Sequence, residues 1–280
     1  MFVPFKEILK DAYLNKYAVG AFNCLSLENA MGAIQAAEEL RSPIIIQLAE
    51  VQFPYSPIEK MAPVFIESAE KASVPVCVHL DHGQSLETCV RAMKLGFQSV
   101  MYDGANLPLE ENIRNTKEIV RIARALNIEV EAELGKVGEA SQKRDESTDI
   151  FTDVDESEYF IRRTGIDALA IAIGNLHGKY IATPRLNIKR LSEINERNHL
   201  PLVLHGGSGT SVEDFKSCIH NGICKINVAT AIQIAVTRKL EEYFKTATHP
   251  NYIDMKYQMV EASKETVKEH MLLFESNGKV

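Results

Sequence analysis

His82, His177 and His205 lie far apart in the chain, yet each follows an apolar, β-branched run and has carboxylates or glycines beside it. Imidazole and carboxylate groups are the usual zinc ligands, and a catalytic zinc takes three protein ligands while keeping one position open. The long separations match no zinc finger, so these histidines favour a catalytic metal over a structural one. His199, His220, His249 and His270 fall in helical or loop patterns and keep the structural reading, while His79 fits a supporting place behind the ligands. A second chemistry is anion binding. His205-Gly206-Gly207-Ser208-Gly209 opens a loop ahead of a helix beginning near Val212, and its glycines can turn backbone N–H groups toward a phosphate. Asn227-Val228-Ala229-Thr230 precedes another helical pattern, whose N-terminus offers further donors.

The elements that carry these residues alternate along nearly the whole chain. Strand patterns cover 17–22, 43–49, 74–80, 99–102, 128–134, 168–173, 201–204 and 224–228, with helical patterns over 27–41, 58–72, 86–95, 108–126, 229–244 and 262–274. Such alternation predicts an α/β fold with a parallel sheet and helices outside. A doubly wound sheet would carry a glycine-rich loop after its first strand, and Phe22-Asn23-Cys24-Leu25 is not one. The expected architecture is a (β/α)8 TIM barrel in a single domain, 1–280, with a C-terminal helical extension. A chain of 280 residues fits that fold. The polar stretch 135–156 is expected to be an active-site lid.

Strand side chains alternate between faces, so parity assigns the interior. Val74, Val76, Val78 and Leu80 face the helices, which turns Cys77, His79 and Asp81 inward; Val130, Ala132 and Leu134 likewise turn Glu129, Glu131 and Glu133 inward. Asp103, His205 and Asn227 end further strands. Carboxylates in a barrel core cost roughly several kcal/mol unless a metal or hydrogen bonds compensate them. Their place at C-terminal strand ends is where barrel enzymes hold their chemistry.

The composition excludes other classes. A net charge of −7 gives no basic footprint for nucleic acid. Five cysteines without a CxxC pair argue against a disulfide framework and point to the cytoplasm. The N-terminus lacks the pattern of a signal peptide, and no apolar run is long enough to span a membrane.

The ordered motifs AFN (21–23), VPVCVHLDHG (74–83), SVMYDGANLPLEENI (99–113), VEAELGKVG (130–138), AIAIGNLHGKY (170–180), PLVLHGGSG (201–209), GICKINVAT (222–230) and FESNGK (274–279) resemble the class II, zinc-dependent fructose/tagatose-bisphosphate aldolase family. The resemblance implies a catalytic Zn2+ on His82, His177 and His205, with Asp103, Glu131 and Glu133 as neighbouring carboxylates. It implies a cradle for dihydroxyacetone phosphate made by Asn23, Gly178, Gly206, Gly207, Ser208, Asn227, Val228, Ala229 and Thr230, with a Na+ or K+ ion near the phosphate. It also implies a phospho-sugar substrate, a homodimer or homotetramer, and Asp81 as the general acid/base on the hydroxyl that becomes the aldehyde. A lid glutamate exchanges the donor-carbon proton in this family.

Three departures stand out. The family's GGxED lid motif reads Gly138-Glu139-Ala140-Ser141-Gln142, which puts Ser141 where the glutamate is expected and leaves Glu139, or Glu146 with a shifted loop, to take its part. Asp-Gly-Ser becomes Asp103-Gly104-Ala105, and the Asp-Pro-Arg that grips the distal phosphate is missing, with Ile253 nearest. The donor half is thus retained and the distal half altered, so the expected aldehyde differs from glyceraldehyde 3-phosphate. The competing readings are a Schiff-base aldolase using Lys225, a barrel-type metal hydrolase, and a non-catalytic phospho-sugar-binding protein.

Overall fold

The computed structural model describes residues 1–135, 138–139, 151–177, 185–207 and 210–280, with 138, 139 and 177 as backbone only. Eight parallel strands close into a barrel in chain order: β1 (Val19–Asn23), β2 (Ile44–Ala49), β3 (Val76–Gly83), β4 (Ser99–Tyr102), β5 (Glu129–Leu134), β6 (Ala168–Ile171), β7 (Leu202–Leu204) and β8 (Ile223–Val228). This is the (β/α)8 TIM barrel that the alternation predicts. The helices are α1 (Phe5–Asn15), α2 (Leu27–Leu40), α3 (Ile58–Lys71), α4 (Leu86–Lys94), α5 (Leu109–Ala125), α6 (Val154–Thr164), α7 (Ile188–Asn198), α8 (Val212–His220), α9 (Thr230–Thr246) and α10 (Tyr252–Leu273).

Two apolar clusters follow from the strand parity. The larger lies between strands and helices and takes Phe22, Ile46, Val78, Leu80, Val130 and Leu204. The smaller fills the lower barrel with Val19, Ala21, Ile45, Cys77, Ala168, Ala170 and Val203, and α1 seals it from below with Phe5, Ile8, Leu9 and Ala12. The barrel is therefore dry at its N-terminal end, and the inward polar residues stand above that floor. The side chains of Ser26, Ser85, Asp153, Asn187 and Ser211 each accept a first-turn N–H of the following helix, which sets where α2, α4, α6, α7 and α8 begin.

Some expected boundaries move. Tyr17 does not enter β1, because its hydroxyl donates to Asp11 (2.7 Å) and its ring is buried against the α1 cluster. β3 runs on to Gly83 through a bulge: its register shifts between Leu80, opposite Val100, and Gly83, opposite Tyr102. β6 ends at Ile171, two residues before the expected end. α10 is one helix from Tyr252, starting ten residues before the expected 262. The expected lid is shorter at its far end, because Thr152 is tied to the barrel by Leu134 O and Ala172 N, and α6 starts at Val154. Residues 136–137 and 140–150 of that stretch lie outside the described residues.

Candidate active site

Inward side chains of several strands meet above the apolar floor. Asp81, on β3, is 4 % exposed and accepts hydrogen bonds on both oxygens, from Asn23 Nδ2 (2.8 Å) and Asn227 Nδ2 (2.9 Å). His82 follows it directly, and in a regular strand it would face the helices. The bulge and a left-handed backbone at His82 (φ 45°) keep it at the barrel mouth, where its Nδ1 pairs with Asp103 Oδ2 at 2.8 Å. Its ring meets that of His205 edge-on, with centroids 4.6 Å apart. His205 presents Nε2 to Glu131 Oε1 at 3.0 Å and Nδ1 to Glu133 Oε2 at 3.1 Å.

Two overlapping trios, Asp81–His82–His205 and His82–Asp103–Glu133, offer ligand atoms within 4.8 Å of one another. Imidazole nitrogens and carboxylate oxygens are the donors zinc accepts, and Glu133 Oε2 is buried with the His205 ring as its ion-pair neighbour at 3.1 Å. These residues fit a divalent cation. Glu131 belongs to neither trio. It lies deeper, fully buried, against Lys225 Nζ (2.9 Å) and His79 Nε2 (3.5 Å).

Electrostatics reflect that packing. Burial would push the Asp81 carboxyl up, but the charges of His82, His205 and Lys225 and the Asn23 bond hold it below the usual range. Burial opposes ionisation of Asp103 as well, and its bond to His82 wins. Glu131 is held low against its burial chiefly by Lys225 and then by His205. Burial would lower His82, yet Asp81 and Asp103 raise it to about 10; His205 is likewise raised by Glu131 and Glu133. His79 moves the other way, to about 3, through burial and the Lys225 charge.

The anion-binding candidates lie next to one another. Gly207 N–H donates to Asn227 O (3.3 Å), and a Cβ at Gly207 would stand 2.7 Å from Ile226 Cγ2 and 3.0 Å from Asn227 O. Gly206 is left-handed (φ 70°), and α9 starts at Thr230 just beyond Val228 and Ala229. Val228 is buried in the outer cluster, so only its backbone can meet a ligand in the barrel. Gly178, Ser208, Ser141 and Glu146 lie outside the described residues, as do the side chains of Glu139 and His177. Their backbones are placed: Gly138–Glu139 pairs with Leu176–His177 in a short parallel ladder, Glu139 opposite His177.

Sequence reasoning passed over three supporting residues. Gln47 Nε2 donates to Asn23 Oδ1 (2.9 Å), Asn175 Nδ2 to His205 O (3.0 Å), and Ser99 Oγ contacts His79 Nδ1 (2.7 Å). Gln47 and Ser99 were detectable as polar residues of inward parity; Asn175, in a loop, had no such signal. Lys225 faces inward as the Schiff-base alternative requires. It is fully buried, however, and its ammonium is engaged by Glu131 and Asn227, so it offers no accessible amine to a carbonyl.

A profile of the family "Fructose-bisphosphate aldolase class-II" matches residues 3–279. The chain is 40% identical to a 6-phospho-5-dehydro-2-deoxy-D-gluconate aldolase of Bacillus licheniformis, over 99% of this chain and 96% of that one. It is also 40% identical to a fructose-bisphosphate aldolase of Geobacillus stearothermophilus, over 99% and 98%. The crystal structure of the YdjI aldolase from Escherichia coli K12 superposes with a TM-score of 0.91 at 37% identity, covering 100% of this chain and 99% of that one.

Proposed function

Because the chain belongs to the class II fructose-bisphosphate aldolase family, we propose that it is an aldehyde-lyase that reversibly cleaves a phosphorylated ketose to dihydroxyacetone phosphate and an aldehyde, with zinc. The observation that carries the zinc reading is the convergence of His82, His205, Asp103 and Glu133 at the mouth. His177 completes the three histidines, with Asp103 and Glu133 as alternative neighbours of the metal and Glu131 as the carboxylate that orients His205. When bound, zinc supplies Lewis-acid stabilisation of the negative charge that develops on the donor's oxygens.

The chain's own residues do the rest. Asp81, oriented by its two amides and held ionised chiefly by the charges of His82, His205 and Lys225, takes the proton from the C4 hydroxyl in cleavage and returns it in condensation. Gly206, Gly207 and the Asn227–Thr230 segment, with Gly178, Ser208 and Asn23, hold the donor phosphate and its oxygens, and Na+ or K+ beside that phosphate fits the same cradle. Glu139 exchanges the donor-carbon proton, a reading supported by its place opposite His177 in the short ladder. The family's homo-oligomeric habit and a cytoplasmic location are carried over in the same way; no helix among the described residues is long and apolar enough to cross a membrane.

The substrate is a ketose without a second phosphate. Beside Asp81, Asn23 also reaches Gln52 Oε1 (3.4 Å), and Glu50 holds Gln84 N (2.7 Å) and Thr88 Oγ1 (2.8 Å) at the same rim. Amides and a carboxylate both suit hydroxyls, and the Glu50 charge disfavours a second phosphate. Ile253, nearest the family's arginine, is an exposed residue at the start of α10. Equal identity to the two aldolases named above selects neither substrate, but one of those names specifies a single phosphate. A panel of phosphorylated ketoses, assayed with and without added zinc, tests this. Monophosphates are expected to turn over fastest; equal or faster turnover of fructose or tagatose bisphosphate overturns the assignment of the distal half.

A further inference from the structure

An amide can present either its oxygen or its nitrogen, and a wrongly turned one would set oxygen against carboxylate. Asp81 depends on two amides being turned correctly. Lys225, a pure donor, places Nζ 2.7 Å from Asn227 Oδ1, and this sends the Asn227 NH2 group to Asp81. On the other flank Gln47 Nε2 donates to Asn23 Oδ1 at 2.9 Å, an arrangement consistent with Asn23 giving its NH2 group to Asp81. Lys225 is fully buried, and its other partner is Glu131 Oε2 at 2.9 Å.

We propose that Lys225 is a positioning residue for the carbon–carbon bond step: through Asn227 it aims the carboxylate of Asp81, and Gln47 does the same through Asn23. The inference rests on Asp81 being the acid/base assigned above. Neutralising Glu131 accounts for a buried lysine but does not require the bond to Asn227. The two roles separate chemically. Asp81 handles the proton on the hydroxyl or aldehyde oxygen, whereas exchange of the donor-carbon proton is assigned to Glu139. Removing Lys225 therefore impairs one reaction of the protein and spares the other.

The test compares zinc-loaded wild type, Lys225→Met, Lys225→Gln and Asp81→Asn in three measurements. These are condensation of dihydroxyacetone phosphate with glycolaldehyde, deuterium exchange from solvent into the hydroxymethyl carbon of dihydroxyacetone phosphate alone, and the zinc-to-protein ratio. Lys225→Met is expected to lower kcat for condensation about 100-fold, the scale of a roughly 1 Å misplacement, with exchange, KM for the donor and zinc content within about threefold of wild type. Lys225→Gln restores an N–H toward Asn227 and should recover about tenfold of that loss. Parallel loss of both reactions, loss of zinc, or a Lys225→Gln variant as impaired as Lys225→Met overturns the proposal and assigns Lys225 to neutralising Glu131. Should Lys225→Met misfold, Lys225→Gln and Gln47→Leu carry the same comparison, each expected to lose condensation ahead of exchange. If Asp81→Asn itself keeps condensation, the acid/base reading fails; if it loses condensation while the Lys225 variants keep it, only the positioning role fails.

Discussion

At the scale of single residues, the site depends on how Asp81 and His82, neighbours in sequence, come to face the same cavity. Alternation alone sends them to opposite faces, and the bulge at the end of β3 with a left-handed His82 overrides it. Parity placed Asp81, Glu131 and Glu133 inside correctly, because flanking Val76, Val78, Val130 and Ala132 mark the outer face. The bulge had no such marker, since it arises from the pairing of β3 with β4. Asp81→Asn is expected to retain zinc and to lose about 1,000-fold in kcat, the usual worth of a positioned acid/base group. Cleavage kinetics together with metal analysis check this. Near-normal turnover would remove Asp81 from its role.

At the scale of elements, the strands were readable because both of their faces are buried, whereas α6 and α7 were not read. Their sequences, VDESEYFIRRT and IKRLSEINERN, bury only Ser157, Phe160 and Thr164 in one and Leu191 and Ile194 in the other, so charge obscures the apolar stripe. The role of α1 also escaped the sequence reading: an amphipathic N-terminus does not announce that it will seal a barrel. Phe5 is fully buried, stacks on His79 with centroids 5.1 Å apart, and donates its N–H to Glu129 Oε2 at 3.1 Å. Phe5→Ala is expected to cost about 3 kcal/mol or more in chemical denaturation. A loss below about 1 kcal/mol would show that α1 does not support the barrel floor.

At the scale of the whole molecule, a protein of net charge −7 gathers its candidate binding groups above an apolar barrel floor. The buried histidines tie stability to pH. For His79, burial and Lys225 lower the folded value to about 3, so the stability that comes from keeping it neutral is present above its unfolded value and is lost as pH falls below about 6.5. His82 opposes this. Although burial would lower it, Asp81 and Asp103 raise it to about 10, so its contribution is complete below about 6.5 and is lost as pH rises from there toward about 10. Metal-free protein should thus be most stable near neutral pH, and zinc, which requires unprotonated imidazole, should flatten the alkaline decline. Denaturation midpoints across pH, with and without zinc, check both limbs. A metal-free stability that keeps rising into the alkaline range would contradict the assigned surroundings of His82.

The central claim is zinc-dependent cleavage, and titrating zinc into metal-stripped protein tests it most directly. Release of dihydroxyacetone phosphate from the best ketose of the panel should climb from near zero to a plateau at about one zinc per chain. Full cleavage by the stripped protein, with borohydride trapping of a substrate–lysine adduct, would contradict it.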